Sequence, residues 1–166
     1  KRGVSLVDAA AGIEGRVTKD AVMEMAGPGE ETLPMSAMRE TIASRMAQSK
    51  QEVPHFYLVG QVRMKKAVSL RERLKEEGAD ISMTSLLVKA AGLALQKEPR
   101  VNVRYEDGQV KRNAGANVGV AVAVEDGLFV PVVKNVPSKT LPQVSRKLGN
   151  LVEQARDGSL IPEQYE

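Results

Sequence analysis

An α/β fold, with helices packed on a sheet, follows from how the apolar residues change period along the chain. Met38, Ile42 and Met46 recur every four residues, which places them on one face of a helix. Phe56, Leu58, Val62 and Met64 alternate with Tyr57, Gln61 and Arg63, the period of a strand. Further on, two apolar stretches are each folded around an Asp-Gly dipeptide, at 107–108 and at 126–127. Helix, strand, two more helices, two hairpins and a last helix, in that order, give a mixed sheet flanked by helices.

The elements follow in turn. Residues 26–34, "AGPGEETLP", carry Gly, Pro and Glu without an apolar period and read as a linker. They separate a small helical N-terminal stub, 1–25, from a larger domain, 35–166. Ser36 is placed as N-cap of the first helix of that domain. The segment from about Met64 to Glu77 is a charged helix with both signs at helical spacing, closed by Gly78. "SMTSLLVKAAGLALQKEP" is apolar nearly all round, with Lys89 as its only interior charge, and predicts a buried helix ending before Pro99. In "NVGVAVAVEDGLFVPVVKN", Val118, Val120, Val122 and Val124 share one strand face, and Asp126-Gly127 is the expected turn. Pro131 has no N–H and belongs at an edge or bulge. Thr140 caps a final helix with the stripe Leu141, Val144, Leu148, Leu151 and Ala155, and Gly158 ends it.

Composition narrows the function. The 166 residues carry a net charge of +3 and no cysteine, which removes disulfides, thiolate metal sites and cysteine nucleophiles. Two Phe, three Tyr and no Trp leave little to stack on bases, so the sequence expects no nucleic-acid partner. No stretch reaches the roughly 18 apolar residues of a membrane span, and no membrane partner is expected. The chain begins "KRGVSLVDAA", without Met and without the apolar core of a signal peptide, as a piece of a longer polypeptide would. His55 is the only histidine. It follows Pro54 at the entry to the expected strand, with Glu52 the only acid within three residues, and fits a structural or surface residue better than a general base. No metal-ligand spacing occurs, and neither "GPG" nor "GANVG" has the ending of a phosphate loop.

Two sets of motifs carry a resemblance. "GRVTKDAV", Gly15 to Val22, resembles the end of the peripheral subunit-binding domain of the dihydrolipoyl acyltransferases of 2-oxo acid dehydrogenase complexes. From Pro34 to Glu166 the chain resembles their catalytic domain, through "MRETIASRMAQSKQEVPHFYL", "TSLLVKAAGLAL", "NVGVAVAVEDGLFVPVVKN" and "GSLIPEQYE". The resemblance implies a fold like chloramphenicol acetyltransferase, incomplete at the C-terminus, and transfer of an acyl group between a dihydrolipoyl arm and coenzyme A. Acetyl is the expected acyl group. The implied partners are two further copies in a trimer that assembles into a larger core, and the decarboxylase and dihydrolipoyl dehydrogenase components. The lipoyl group would ride on a domain not in this chain. A bacterial cytoplasm is the expected compartment, with the mitochondrial matrix as the alternative.

The same resemblance assigns residues. Arg16 matches the loop arginine that helps to capture partner components, although the stub begins after that domain's usual first helix. Lys134 and Asn135 match the point where the family's chain leaves the sheet near the coenzyme A and lipoyl channel, and with Lys139 nearby they are candidates for the coenzyme's phosphates. The family's catalytic His-x-x-x-Asp-Gly is missing: Val103, Val122 and Glu153 stand four residues before the three Asp-Gly pairs. The four residues after His55 do not lead to Asp-Gly either, since Val59 and Gly60 stand there. The family's Thr-x-Ser-Asn segment, expected after "LIPEQYE", is likewise not in the sequence. The expectation is therefore an inactive portion of an acyltransferase, with catalytic residues none, and the alternative is a non-catalytic scaffold. Exposed apolar helix faces and an open edge strand are expected with it.

Overall fold

A computed structural model describes residues 33–165. Four α-helices are present among them: α1 (Ala37–Glu52), α2 (Lys65–Glu76), α3 (Met83–Lys97) and α4 (Leu141–Asp157). Six short strands lie between α3 and α4: β1 (Val103–Glu106), β2 (Gln109–Arg112), β3 (Val118–Gly119), β4 (Val122–Val124), β5 (Gly127–Phe129) and β6 (Val132–Val133). They pair as three two-stranded antiparallel ladders, β1 with β2, β3 with β6 and β4 with β5.

The helix ends obey their local chemistry. The backbone N–H of Arg39 donates to Ser36 Oγ at 3.4 Å. At the head of α4, Thr140 Oγ1 accepts from Gln143 N while Gln143 Oε1 accepts from Thr140 N at 2.8 Å, which satisfies two otherwise orphaned donors. Gly158 then closes α4 at φ +76°, in the left-handed region where a side chain would be strained.

The β1–β2 hairpin turns at Asp107-Gly108, both with positive φ, as a type I′ connection requires. The second hairpin differs from expectation by one residue. Val124 pairs with Gly127, so Glu125-Asp126 make the turn, and Asp126-Gly127 do not. Gly127 serves a different need. A Cβ there would meet Met38 Sδ at 2.9 Å and Ile42 Cδ1 at 3.1 Å, so the glycine lets α1 rest on the hairpin tip. Arg39 Nε also donates to the Asp126 carbonyl at 3.3 Å. The two ladders β3–β6 and β4–β5 run in one register, from Val118↔Val133 to Val124↔Gly127. They are one hairpin interrupted at Pro131, which lacks an N–H but accepts from Val120 N at 3.0 Å.

A second correction concerns Phe56–Met64. No strand forms there. Phe56, Tyr57, Leu58, Val59 and Val62 are all at least 79% exposed. Alternation gives a chain two faces, but a strand also needs a neighbour to take its N–H and C=O groups. No strand among the described residues lies alongside this segment.

The core sits between α3, α4 and the β3–β6 ladder. Val88, Val133, Val136, Val144, Leu148 and Leu151 form it, with Val118, Val120, Val152 and Leu160 packed against its rim. The stripe expected on α4 is buried at Val144, Leu148, Leu151 and Ala155. Helix α3 is buried on one side only, at Ser85, Val88 and Gly92, while Leu87 and Leu93 face outward. Its sequence is apolar all round, but its environment is not.

Candidate functional site

Two hollows border this core. The larger is an open groove of about 900 Å³ between the 78–85 loop with the start of α3, the strand segment Val120–Ala123, and α4. Its polar lining includes Arg146, Glu153 and Arg156 and, deeper in, a relay of hydroxyls. Ser85 Oγ, almost fully buried, donates to Ser145 Oγ at 3.3 Å, and Ser145 Oγ donates to the Asp80 carbonyl at 2.9 Å. Ser85 has one proton to give, so Ser82 Oγ must be the donor across the 2.7 Å Ser82–Ser85 contact. The relay ends on a backbone carbonyl. No imidazole or carboxylate is hydrogen-bonded to these hydroxyls, the arrangement that activates a nucleophile.

The smaller hollow, about 180 Å³, is lined by Val132, Lys134, Lys139, Lys147, Leu151, Glu163 and Gln164. Several elements meet here. Lys134 extends β6, Lys139 closes the 3-10 turn Val136–Ser138, Lys147 comes from α4, and Glu163 and Gln164 come from the 3-10 turn Pro162–Gln164. Leu151 is fully buried and gives the hollow an apolar floor. Gln164 is tied down by Gln154, to whose Oε1 it donates at 2.9 Å. None of the ion pairs found among the described residues uses these three lysines or Glu163. Three lysines and one glutamate line the hollow around that apolar floor, so its formal charge is net positive. Its volume suits a phosphate-sized group, being below the roughly 300 Å³ of pockets that enclose a whole small-molecule ligand.

The sequence singled out Lys134 and Asn135 together, and the structure places them differently. Lys134 lines the hollow, whereas Asn135 is not among the lining residues. Asn135 instead adopts the left-handed conformation, φ 51° and ψ 53°, and turns the chain from β6 into the following 3-10 turn. Its N–H donates to Asn117 Oδ1 at 2.8 Å and its carbonyl accepts from Ser138 Oγ at 2.9 Å. Lys147 and Glu163 went unnoticed in sequence. Lys147 lies one turn before Leu151 beside the apolar stripe, which was a usable signal, whereas nothing local marks Glu163. Arg16 lies outside the described residues, as do the stub and most of the linker.

His55 is exposed, and its Nδ1 lies 2.5 Å from the Val53 carbonyl, to which it donates. A ring held by its own backbone and facing no hydroxyl or carboxylate is a surface histidine. Lys50 Nζ reaches the hydroxyl of neighbouring Tyr57, and no acid enters that group. Among the described residues no cluster of His, Asp and Glu is placed to hold a metal ion. None of the described helices is long and apolar enough to cross a membrane.

Helices packed on antiparallel ladders, with a lysine-lined hollow at a strand end, define an α/β domain. Residues 27–166 match the family described as 2-oxoacid dehydrogenases acyltransferase (catalytic domain), and the chain belongs to that family. A mitochondrial dihydrolipoyllysine-residue acetyltransferase component 3 of the pyruvate dehydrogenase complex, from Arabidopsis thaliana, is 41% identical over 139 residues. That match takes in 81% of this chain and 26% of the relative. The crystal structure of a probable dihydrolipoamide acetyltransferase from Listeria monocytogenes superposes with a TM-score of 0.75 at 31% identity, covering 83% of this chain and 61% of that one. The cubic core of a pyruvate dehydrogenase multienzyme complex gives a TM-score of 0.77 at 27% identity, with 84% and 60% covered. The chain therefore spans about a quarter of the length of the curated relative and about three-fifths of each solved chain. These neighbours bear out the acyltransferase-core fold that the sequence motifs imply.

Proposed function

We propose that this domain binds coenzyme A for acyl transfer, acetyl transfer in particular, to or from a dihydrolipoyl arm within a 2-oxo acid dehydrogenase complex. The observation that carries the reading is the hollow shared by Lys134, Lys139 and Lys147. Coenzyme A carries a 3′-phosphate and a pyrophosphate, and lysine ammonium groups on an apolar floor suit such a group. Membership of the family and the acetyltransferase names of its relatives support the acyl chemistry.

In this proposal the 166 residues supply binding and no chemistry. Acyl transfer from the coenzyme needs a base for the attacking thiol and donors for the tetrahedral oxyanion. The sequence offers only His55, exposed and spent on a backbone carbonyl. Loss of oxyanion donors alone typically costs about 10²–10³ in rate. The domain works as part of a trimer in a larger core, and the stub, through Arg16, captures the decarboxylase or dihydrolipoyl dehydrogenase component. The cubic assembly of a structural neighbour supports the first of these statements.

Titrating coenzyme A into the intact protein tests the site. Lys134→Met and Lys139→Met should each raise Kd by about tenfold, the loss of one charge-assisted contact. Unchanged Kd in both variants would remove the hollow from the coenzyme site. Acetyl transfer from acetyl-CoA to dihydrolipoamide by the 166-residue chain at the rate of a complete acetyltransferase would refute the division between binding and chemistry.

A further inference from the structure

Lys89 is the one charge inside α3, and it does not point into solvent or toward an acid. Its ammonium group donates to three backbone carbonyls: Val136 at 3.3 Å, Pro137 at 3.1 Å and Lys139 at 2.6 Å. These carbonyls belong to the single turn that joins Lys134 to Lys139. The turn is secured at its other end by Asn117, through Asn135, and by Val136 N donating to the Ala116 carbonyl at 3.0 Å. An ammonium has three donors on a tetrahedral point, so one residue satisfies acceptors from three directions; a planar guanidinium would not. The close approach is deliberate in the sequence as well. Gly92, one turn beyond Lys89, lies so near the turn that a Cβ would come within 2.4 Å of Val136 Cγ1.

We propose that Lys89 is a positioning residue for coenzyme A: by gathering the carbonyls of the 136–139 turn it fixes Lys134 and Lys139 at the mouth of one hollow. This rests on the reading of that hollow as the phosphate site. Lys89 does not touch the ligand. It sets the backbone from which one phosphate-binding lysine projects, since its shortest bond is to Lys139 itself.

The test is steady-state kinetics on the intact acetyltransferase, with the coenzyme and dihydrolipoamide varied separately. Lys89→Met keeps the aliphatic stem and removes the donors. The expected result is a KM for coenzyme A raised about tenfold, with kcat and the KM for dihydrolipoamide within twofold of the parent. Lys89→Arg restores the charge but not the three-way geometry and should recover part of the affinity. A fall in kcat or in thermal stability with an unchanged coenzyme KM would show a purely structural residue and overturn the proposal. Should Lys89→Met fail to fold, Lys89→Arg decides alone: a raised coenzyme KM is expected, and an unchanged one overturns the assignment. Lys139→Met, run in parallel, separates the two claims. If it raises the coenzyme KM and the Lys89 variants do not, only the positioning role falls; if it leaves the KM unchanged, the phosphate site falls first.

Discussion

The α3–β–α4 region and the α1–loop region are both rich in apolar residues, yet only one of them buries any. Between Met83 and Leu160 the inward-facing apolar side chains meet others of this chain, and Val133, Val136, Val144 and Leu151 lose all their exposure. From Ala37 to Met64 nothing is buried, and α1 touches the rest chiefly where Met38 and Ile42 straddle Gly127. Apolar content therefore does not make a core. A second surface at the right distance does, because the hydrophobic gain is proportional to the area removed from water.

Substitutions on the two sides should separate the regions sharply. Leu151→Ala, in the centre of the α4 stripe, should lower unfolding free energy by about 2–5 kcal/mol, the range for a buried leucine left as a cavity. Chemical denaturation with an unchanged m-value is the check; a loss below about 1 kcal/mol would mean the core is far looser than its burial indicates. Gly92→Ala should cost about 1–3 kcal/mol, because the added methyl must displace the fully buried Val136 and the helix propensity of alanine returns only about 1 kcal/mol. A neutral or stabilised Gly92→Ala would show that the α3–turn seam can open. Leu58→Ser, at 87% exposure, should change stability by no more than about 0.5 kcal/mol. A loss comparable to that of Leu151→Ala would place Leu58 in an interface and erase the contrast.

What could be read from sequence was what depends on neighbours a few residues away. Thr140, the α4 stripe and Gly158 announce a helix because cap, face and stop lie within 19 residues of one another. Asp107-Gly108 announces its hairpin for the same reason. The second hairpin was displaced by one residue because Glu125-Asp126-Gly127 offers two overlapping dipeptides, and the choice is made elsewhere. Gly127 is needed against α1, and the register is shared with β3 and β6. Phe56–Met64 failed as a strand because alternation describes the segment and says nothing of its partner. At the smaller hollow, Lys134 came from the family resemblance alone, and no local pattern could bring Glu163 beside it. Asn135 was likewise singled out from the resemblance, and what the structure adds is its backbone: among the described residues, only it and Asp107 have a positive φ without being glycine.

The seam between α3 and the 136–139 turn also has a kinetic meaning. The β1–β2 hairpin and the helices close over ten residues or fewer at each step. The Lys89–Val136 contact joins residues 47 apart in sequence, a loop whose closure costs about 3 kcal/mol in chain entropy beyond a constant. Contacts of that span slow folding relative to local ones, because the loop entropy is lost before the contact rewards it. The spacing of Lys134 and Lys139 thus depends on a contact that local structure alone does not form, between an ammonium on one helix and a turn bent at Asn135.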